Sequence, residues 1–197
     1  MSFRLGLTGS IGMGKSTTAN LFRAAGCDVW DADAAVHRMY DVGGRAVAPI
    51  QSALPAAVEN GAVSRDRLKE LIGQDPSVLK TLEKIVHPLV AEDRAEFVSK
   101  SEADILVFDI PLLFETGGNK TMDAVVCVSV PAEIQKKRVL ARGTMTEAQF
   151  EQIRAKQMPN EEKCAQSDFV IITDTLDHAR EQVKAVVATL RKQIQNA

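Results

Sequence analysis

The 197-residue sequence predicts an α/β fold, a mostly parallel sheet covered by helices on both faces. Five short runs rich in Val, Ile or Leu, at residues 3–7, 27–31, 105–109, 124–130 and 169–173, alternate with stretches of helical character. The first run leads into Gly9-Ser-Ile-Gly-Met-Gly-Lys15-Ser16, a complete Gly-x-x-x-x-Gly-Lys-Ser phosphate loop, with a helical segment at 17–25 behind it. Hydrophobic residues make up 45% of the chain, enough to bury one good core with small lobes attached.

Each element follows from its residues. The apolar run 3–7 is a buried first strand, and the glycines after it let backbone amides turn tightly onto phosphate oxygens at the start of the next helix. Lys15 then reaches the β/γ-phosphates, and the Ser16 hydroxyl takes one Mg²⁺ position. The second run closes on Asp31-Ala-Asp33, two carboxylates expected on one strand face at the carboxyl edge of the sheet. A carboxylate there can orient the proton of an attacking hydroxyl, or Asp33 can simply cap a helix at 34–40.

From Asp33 to Ser101 the chain looks helical but is punctuated by Gly43-Gly44, Pro49, Pro55, Gly61, Pro76 and Pro88. That length exceeds one crossover and predicts a helical subdomain that grips a second substrate. Pro88 is expected to interrupt a helix running from Val78, which puts His87 at a helix end. Ile105-Leu-Val-Phe-Asp109 reads as a strand whose terminal carboxylate emerges beside the phosphates and orients Mg²⁺, with a turn cap as the plainer alternative. Residues 144–166 carry charge and Gln without a continuous apolar face and read as a mobile lid, its helix opened by a capping box at Thr146 and Gln149. At the end, Val183, Val186, Val187, Leu190 and Ile194 fall on one face of a packing helix over 178–194.

Composition excludes other classes. A formal net charge of −2 supplies no basic stripe for nucleic acid, and no uncharged run is long enough to cross a bilayer. The apolar stretch near Met1 is too short for a signal peptide, so a cytosolic protein is expected. Cys27, Cys127 and Cys164 lack metal-ligand spacing and are expected as reduced thiols, Cys127 as core packing. Asn119-Lys-Thr-Met-Asp123 has one residue too many for a guanine-reading motif, which leaves ATP as the expected nucleotide.

Taken together, these residues resemble the dephospho-coenzyme A kinases. The resemblance rests on Leu7-Thr-Gly-Ser-Ile-Gly-Met-Gly-Lys-Ser16, Asp31-Ala-Asp33, Gly61-Ala-Val-Ser-Arg-Asp-Arg-Leu68, Ile85-Val-His-Pro-Leu-Val90 and Asp109-Ile-Pro-Leu-Leu-Phe-Glu115. It continues through Arg138-Val-Leu-Ala-Arg142, then Arg154, Gln157-Met158 and Lys163, and Ser167-Asp168-Phe-Val-Ile171. It implies a P-loop kinase fold of one domain: a core at about 1–35, 102–143 and 167–197, an acceptor-binding helical insertion at about 36–101 and a lid at about 144–166. The implied reaction moves the γ-phosphoryl group of ATP, with Mg²⁺, to the ribose 3′-hydroxyl of dephospho-CoA, with neither nucleic acid nor membrane as partner.

The resemblance implies Lys15, Asp33 and Arg142 as catalytic residues, and Gly9, Gly12, Met13, Gly14, Lys15, Ser16, Thr17, Arg138 and Arg142 around ATP. It implies Thr8, Asp33, Arg65, His87, Leu112, Leu113 and Phe114 for the acceptor, and Ser16 with Asp109 for the metal. Glu115 has no role in a simple strand-to-loop transition. Two positions depart from the family pattern: Ser10 stands where Gly is frequent, and Ile172-Thr173-Asp174-Thr175 replaces an Asp-Asn turn near the adenine. A different small-molecule or nucleoside monophosphate kinase, or a phosphate-loop regulatory ATPase, remains as an alternative.

Overall fold

In the computed structural model, residues 2–196 are described, and the chain divides into two compact units, Met1–Trp30 with Ser101–Ala197, and Asp31–Lys100. Strands β1 (Phe3–Thr8), β2 (Asp28–Asp31), β5 (Ile105–Asp109), β6 (Ala124–Ser129) and β7 (Phe169–Ile172) form a five-stranded sheet in the order β2-β5-β1-β6-β7. The β1–β5, β1–β6 and β6–β7 pairs are parallel, as the alternation of strands and helices predicts. β1 lies between β5 and β6, with β2 beyond one and β7 beyond the other, so the chain builds one side of β1 first and the other side later. The phosphate loop therefore opens at the carboxyl end of the sheet, at the point where strand order reverses.

Both faces of this sheet are buried, which is why its strands read as nearly continuous apolar runs. On one face, Leu5, Leu7, Val107, Val126, Val128 and Ile171 pack with Phe22 of α1 (Lys15–Ala24) and with Val183, Val187 and Leu190 of α9 (Leu176–Gln195). The spacing that predicts the last helix is thus its buried stripe. On the other face Val125 meets Leu113 and Phe114 from the loop after β5. Cys127 is fully buried, and its sulfur lies 3.9 Å from that of Cys164 on α8 (Asn160–Ala165). All three cysteines are free thiols; burial pushes Cys27 up to about 11 and Cys127 up to about 12, so both stay protonated near neutrality.

Helix α6 (Ala132–Ala141) ends at Arg142, and Gly143 turns the chain with φ 65°. Helix α7 (Glu147–Lys156) then opens with both bonds of the capping box between Thr146 and Gln149. Fully buried Phe150 and the Lys136–Glu147 ion pair hold α7. The segment read as a lid therefore folds as two short helices packed with the core unit.

The second unit contains α2 (Ala32–Tyr40), α3 (Val47–Ala53), α4 (Arg65–Gln74) and α5 (Ser77–Lys100), with α5 packed on the other three. Two features depart from the sequence reading. Pro88 lies inside the 24-residue α5 without ending it, so His87 is mid-helix rather than at a helix end. Pro88 is exposed, and the Lys84 carbonyl that loses its partner can turn to water there. The second feature is a hairpin, β3 (Val58–Glu59) with β4 (Ala62–Val63), joined by Asn60 at φ 51° and Gly61 at φ 78°. Two positive φ angles on Asn-Gly are the signature of a type I′ turn.

Two glycines give opposite expectations. Gly14 has φ 89°, and a Cβ there would stand 2.9 Å from Thr173 Oγ1. Gly73, within α4, has nothing within 4 Å of a Cβ. Gly14→Ala should lose at least about 1–2 kcal/mol from the left-handed backbone alone, whereas Gly73→Ala should be neutral or gain about 0.5–1 kcal/mol. Thermal unfolding of both variants checks the pair; equal effects would contradict the description of the loop.

Candidate functional site

The site begins with backbone. Residues 9–14 leave β1 without strand or helix pairing, and two glycines in the left-handed region, Gly12 at φ 79° and Gly14 at φ 89°, direct the chain into α1. Only glycine accepts both the angle and the crowding, since a Cβ on Gly12 would fall 2.5 Å from Val139 Cγ2. Ser10 is buried, and among the described residues Asn60 alone has positive φ without being glycine, so Ser10 fits its place without strain. No side chain caps α1 and no acidic residue lies in its first turn. That leaves a helix N-terminus with positive partial charge facing the loop.

Protein groups hold the loop from several directions. Gln157 Oε1 accepts from the Ile11 amide at 3.2 Å, and Gln135 Nε2 donates to the Ile11 carbonyl at 2.8 Å. Thr173 Oγ1 donates to the Met13 carbonyl at 2.6 Å. The Met13 side chain is buried and accepts from the Val130 amide at 3.2 Å, so Met13 can offer a ligand only its backbone. The Gln135, Gln157 and Thr173 contacts escape sequence reading because each joins positions more than a hundred residues apart; only the Gln157-Met158 pattern signals any of them.

Lys15 Nζ forms an ion pair with Asp109, whose side chain is 2% exposed. Asp109 therefore faces the loop rather than capping a turn. Thr17 and Arg142 are exposed, whereas Arg138 donates to the Thr173 carbonyl at 2.6 Å, to Thr173 Oγ1 at 3.2 Å and to the Asp174 carbonyl at 3.3 Å. Gly12, Gly14, Thr17, Arg138 and Arg142 join Thr173, Thr175 and Leu176 around a recess of about 290 Å³. Five of the nine residues expected around ATP thus line one recess, and the segment that departs from the family pattern, at Thr173 and Thr175, forms another part of its wall.

The acceptor residues are less concentrated. Thr8 is buried and its hydroxyl donates to the Pro111 carbonyl at 3.1 Å. Leu113 and Phe114 are core residues at 0% and 8% exposure, while Leu112 is 41% exposed. The apolar wall expected from all three narrows to Leu112, because the strand-to-loop turn directs its neighbours under the sheet. Asp33 is not on a strand face with Asp31: β2 ends at Asp31, and Asp33 lies in the first turn of α2. Asp31 is the residue that caps α2, accepting from the Ala34 amide at 2.9 Å. The Asp33 side chain is exposed, free of the capping duty that was its plainer reading.

Arg65 lies over the Tyr40 ring, 5.8 Å from its centroid, whereas Arg67 is taken up by Glu59 and Glu70. His87 is exposed on α5. Glu115, unexplained by sequence, binds Lys163 Nζ at 2.9 Å and accepts from the Met158 amide at 2.9 Å. Burial works to raise the Glu115 carboxyl, but Lys163 and the amide outweigh it and hold it below the ordinary range.

The sequence and the fold both have known relatives. The dephospho-CoA kinase family pattern matches residues 3–178. A dephospho-CoA kinase of Ruegeria pomeroyi is 71% identical over 191 residues, 97% of each chain. A crystal structure from Thermus thermophilus superposes with TM-score 0.85 at 35% identity, covering 96% of this chain and 98% of that one. The fold is shared as well by a dephospho-CoA kinase of Campylobacter jejuni, with TM-score 0.69 at 24% identity, covering 98% and 99%. The chain belongs to the dephospho-CoA kinase family, the ATP-dependent kinases of coenzyme A biosynthesis.

Proposed function

We propose that the residues around the phosphate loop transfer the γ-phosphoryl group of ATP to the ribose 3′-hydroxyl of dephospho-CoA, giving CoA and ADP. The observation that carries this reading is a loop with two positive-φ glycines, braced on Ile11 and Met13, at the uncapped start of α1. Such a loop turns backbone amides toward an anion. In this reading the donor's phosphates lie along Gly9 and Gly12 through Thr17. Its adenine occupies the recess walled by Thr173, Thr175 and Leu176, with Arg138 and Arg142 at the rim. Arg138 acts mainly by holding that wall, since its guanidinium is committed to Thr173 and Asp174. Arg142, at the hinge beside Gly143, is the arginine available to the phosphates.

The donor set suits Mg²⁺ arriving with ATP. Mg²⁺ is commonly bound through one or two protein oxygens together with phosphate and water oxygens. Ser16, exposed in the first turn of α1, and Asp109 are the protein groups that would hold it. Mg²⁺ bound there would neutralise charge on the β- and γ-phosphates.

In the transfer, a bond forms between the ribose 3′-oxygen and the γ-phosphorus while the bond to the β,γ-bridging oxygen breaks. Asp33 orients the hydroxyl and takes its proton, and Lys15 with Arg142 spreads the developing charge. Arg65 and His87, on the helical unit, serve the acceptor's anionic end, and Leu112 its neutral arm. Thr8 contributes by fixing the Pro111 carbonyl, and Leu113 with Phe114 by anchoring that loop in the core. No helix among the described residues is long and apolar enough to cross a membrane, and three free thiols agree with a cytosolic protein.

Lys15→Met should lower kcat by about a hundredfold or more. It should also lower the melting temperature, because the buried Asp109 carboxylate loses the Lys15 ammonium from its surroundings. Adding Asp109→Asn should restore stability without restoring transfer; an active Lys15→Met protein would contradict the donor assignment. Asp33→Asn, at an exposed position, should leave folding and ATP affinity intact while kcat collapses. Reduced ATP affinity with normal turnover would make Asp33 a nucleotide residue instead. ADP release measured across dephospho-CoA, AMP, CMP, shikimate and gluconate tests the acceptor. Dephospho-CoA should exceed AMP by more than about tenfold in kcat/KM, a difference of about 1.4 kcal/mol; equal use of AMP would overturn the reading.

A further inference from the structure

Lys163 is a cation with no exposed side-chain surface, in a six-residue helix whose other residues are exposed or half-buried. A buried ammonium must be paired and hydrogen-bonded to persist, and Lys163 is both. Its Nζ meets the Glu115 carboxylate at 2.9 Å and donates to the Pro111 carbonyl at 3.3 Å, the same carbonyl that takes the Thr8 hydroxyl at 3.1 Å. Glu115 in turn accepts from the Met158 amide at 2.9 Å, and the residue before it, Gln157, holds the Ile11 amide at 3.2 Å. A continuous series of contacts thus runs from the loop behind Asp109, through Lys163 and Glu115, to the 157–158 turn and onto the phosphate loop.

We infer that Lys163 and Glu115 are positioning residues: their ion pair sets the register of the 157–158 turn, so that Gln157 holds the Ile11 peptide and with it the phosphate loop. The pair touches no reacting atom and acts through Gln157. The inference rests on the donor-site reading above. Geometry supports the division of labour. Gln157 is a flexible side chain whose backbone follows α7, and one turn later α8 begins at Asn160. Without a fixed point at Met158 the side chain could satisfy itself in water instead. Lys163 Nζ supplies the fixed point by holding Glu115, and the 110–115 loop is itself tied to β1 through the Ile110 amide on the Leu7 carbonyl at 3.0 Å.

A double-mutant cycle on the full-length protein tests the inference, with ATP and dephospho-CoA as substrates and each variant assayed well below its melting temperature. Lys163→Met and Gln157→Ala should each lower kcat by about tenfold or more, as misplacement of a positioned group does. Because both act on the Ile11 amide, Lys163→Met introduced into Gln157→Ala should add less than about a threefold further loss. KM for dephospho-CoA should change less than about threefold in Gln157→Ala, whose side chain meets the phosphate loop and not the 110–115 loop. Should Lys163→Met fail to fold, Glu115→Ala, which removes the acceptor of the Met158 amide, takes its place in the cycle. Multiplicative losses, a lowered melting temperature with kcat unchanged, or failure of both variants to fold would each overturn the inference and leave the pair a purely stabilising one. Wild-type protein inactive on dephospho-CoA would instead defeat the proposed reaction itself.

Discussion

The core unit depends on one constraint: a backbone stretch with no strand or helix pairing of its own must be held in a single shape. Residues 9–14 need two left-handed turns in three residues, at Gly12 and Gly14, and such a segment is not rigid by itself. Rigidity comes from what surrounds it. The parallel sheet aims β1 at the crevice where strand order reverses, α6 closes on Gly12 through Val139, and Thr173 after β7 closes on Gly14. Side chains from three distant places, Gln135, Gln157 and Thr173, then take up loop amide and carbonyl groups. Backbone groups of the loop are thereby oriented by the fold before any ligand arrives, which is the arrangement the proposed electrostatic catalysis requires.

Two buried lysine–carboxylate pairs frame that loop and differ in kind. Lys15–Asp109 joins a residue at the end of β5 to the first residue of α1, with side-chain exposures of 16% and 2%. The Lys15 side chain retains some exposure, which its proposed contact with a phosphate requires. Lys163–Glu115 reverses the pattern: the lysine is sealed and the carboxylate retains 19% exposure. A sealed lysine cannot meet a ligand, and its charge serves geometry within the protein. Distinguishing the two requires burial and partners, which residue type does not reveal.

What could be read from sequence follows from how far each signal reaches along the chain. The phosphate loop, the Thr146–Gln149 capping box and the stripe from Val183 to Leu190 are local patterns, and each appears as expected. The Asn60-Gly61 hairpin was equally local, but its flanking strands have two residues each, too short for alternation to show. Pro88 misled for a different reason: a proline rule holds when the freed carbonyl has nowhere to go, and on an exposed face of a long helix it has water. Leu113 and Phe114 are apolar residues that the resemblance implies for the acceptor, and their burial against Val125 makes them core instead. The Gln135, Gln157 and Glu115 contacts are long-range pairings that no spacing rule can find.

The central claim, that the loop is shaped by the protein rather than by its ligand, is tested most directly by a crystal structure of this chain with Mg²⁺ and a non-hydrolysable ATP analogue. The account predicts phosphates on the loop, Gly12 and Gly14 still at positive φ, and the Ile11 and Met13 contacts with Gln135, Gln157 and Thr173 retained. A loop that abandons those contacts to bind, or phosphates seated elsewhere, would contradict it.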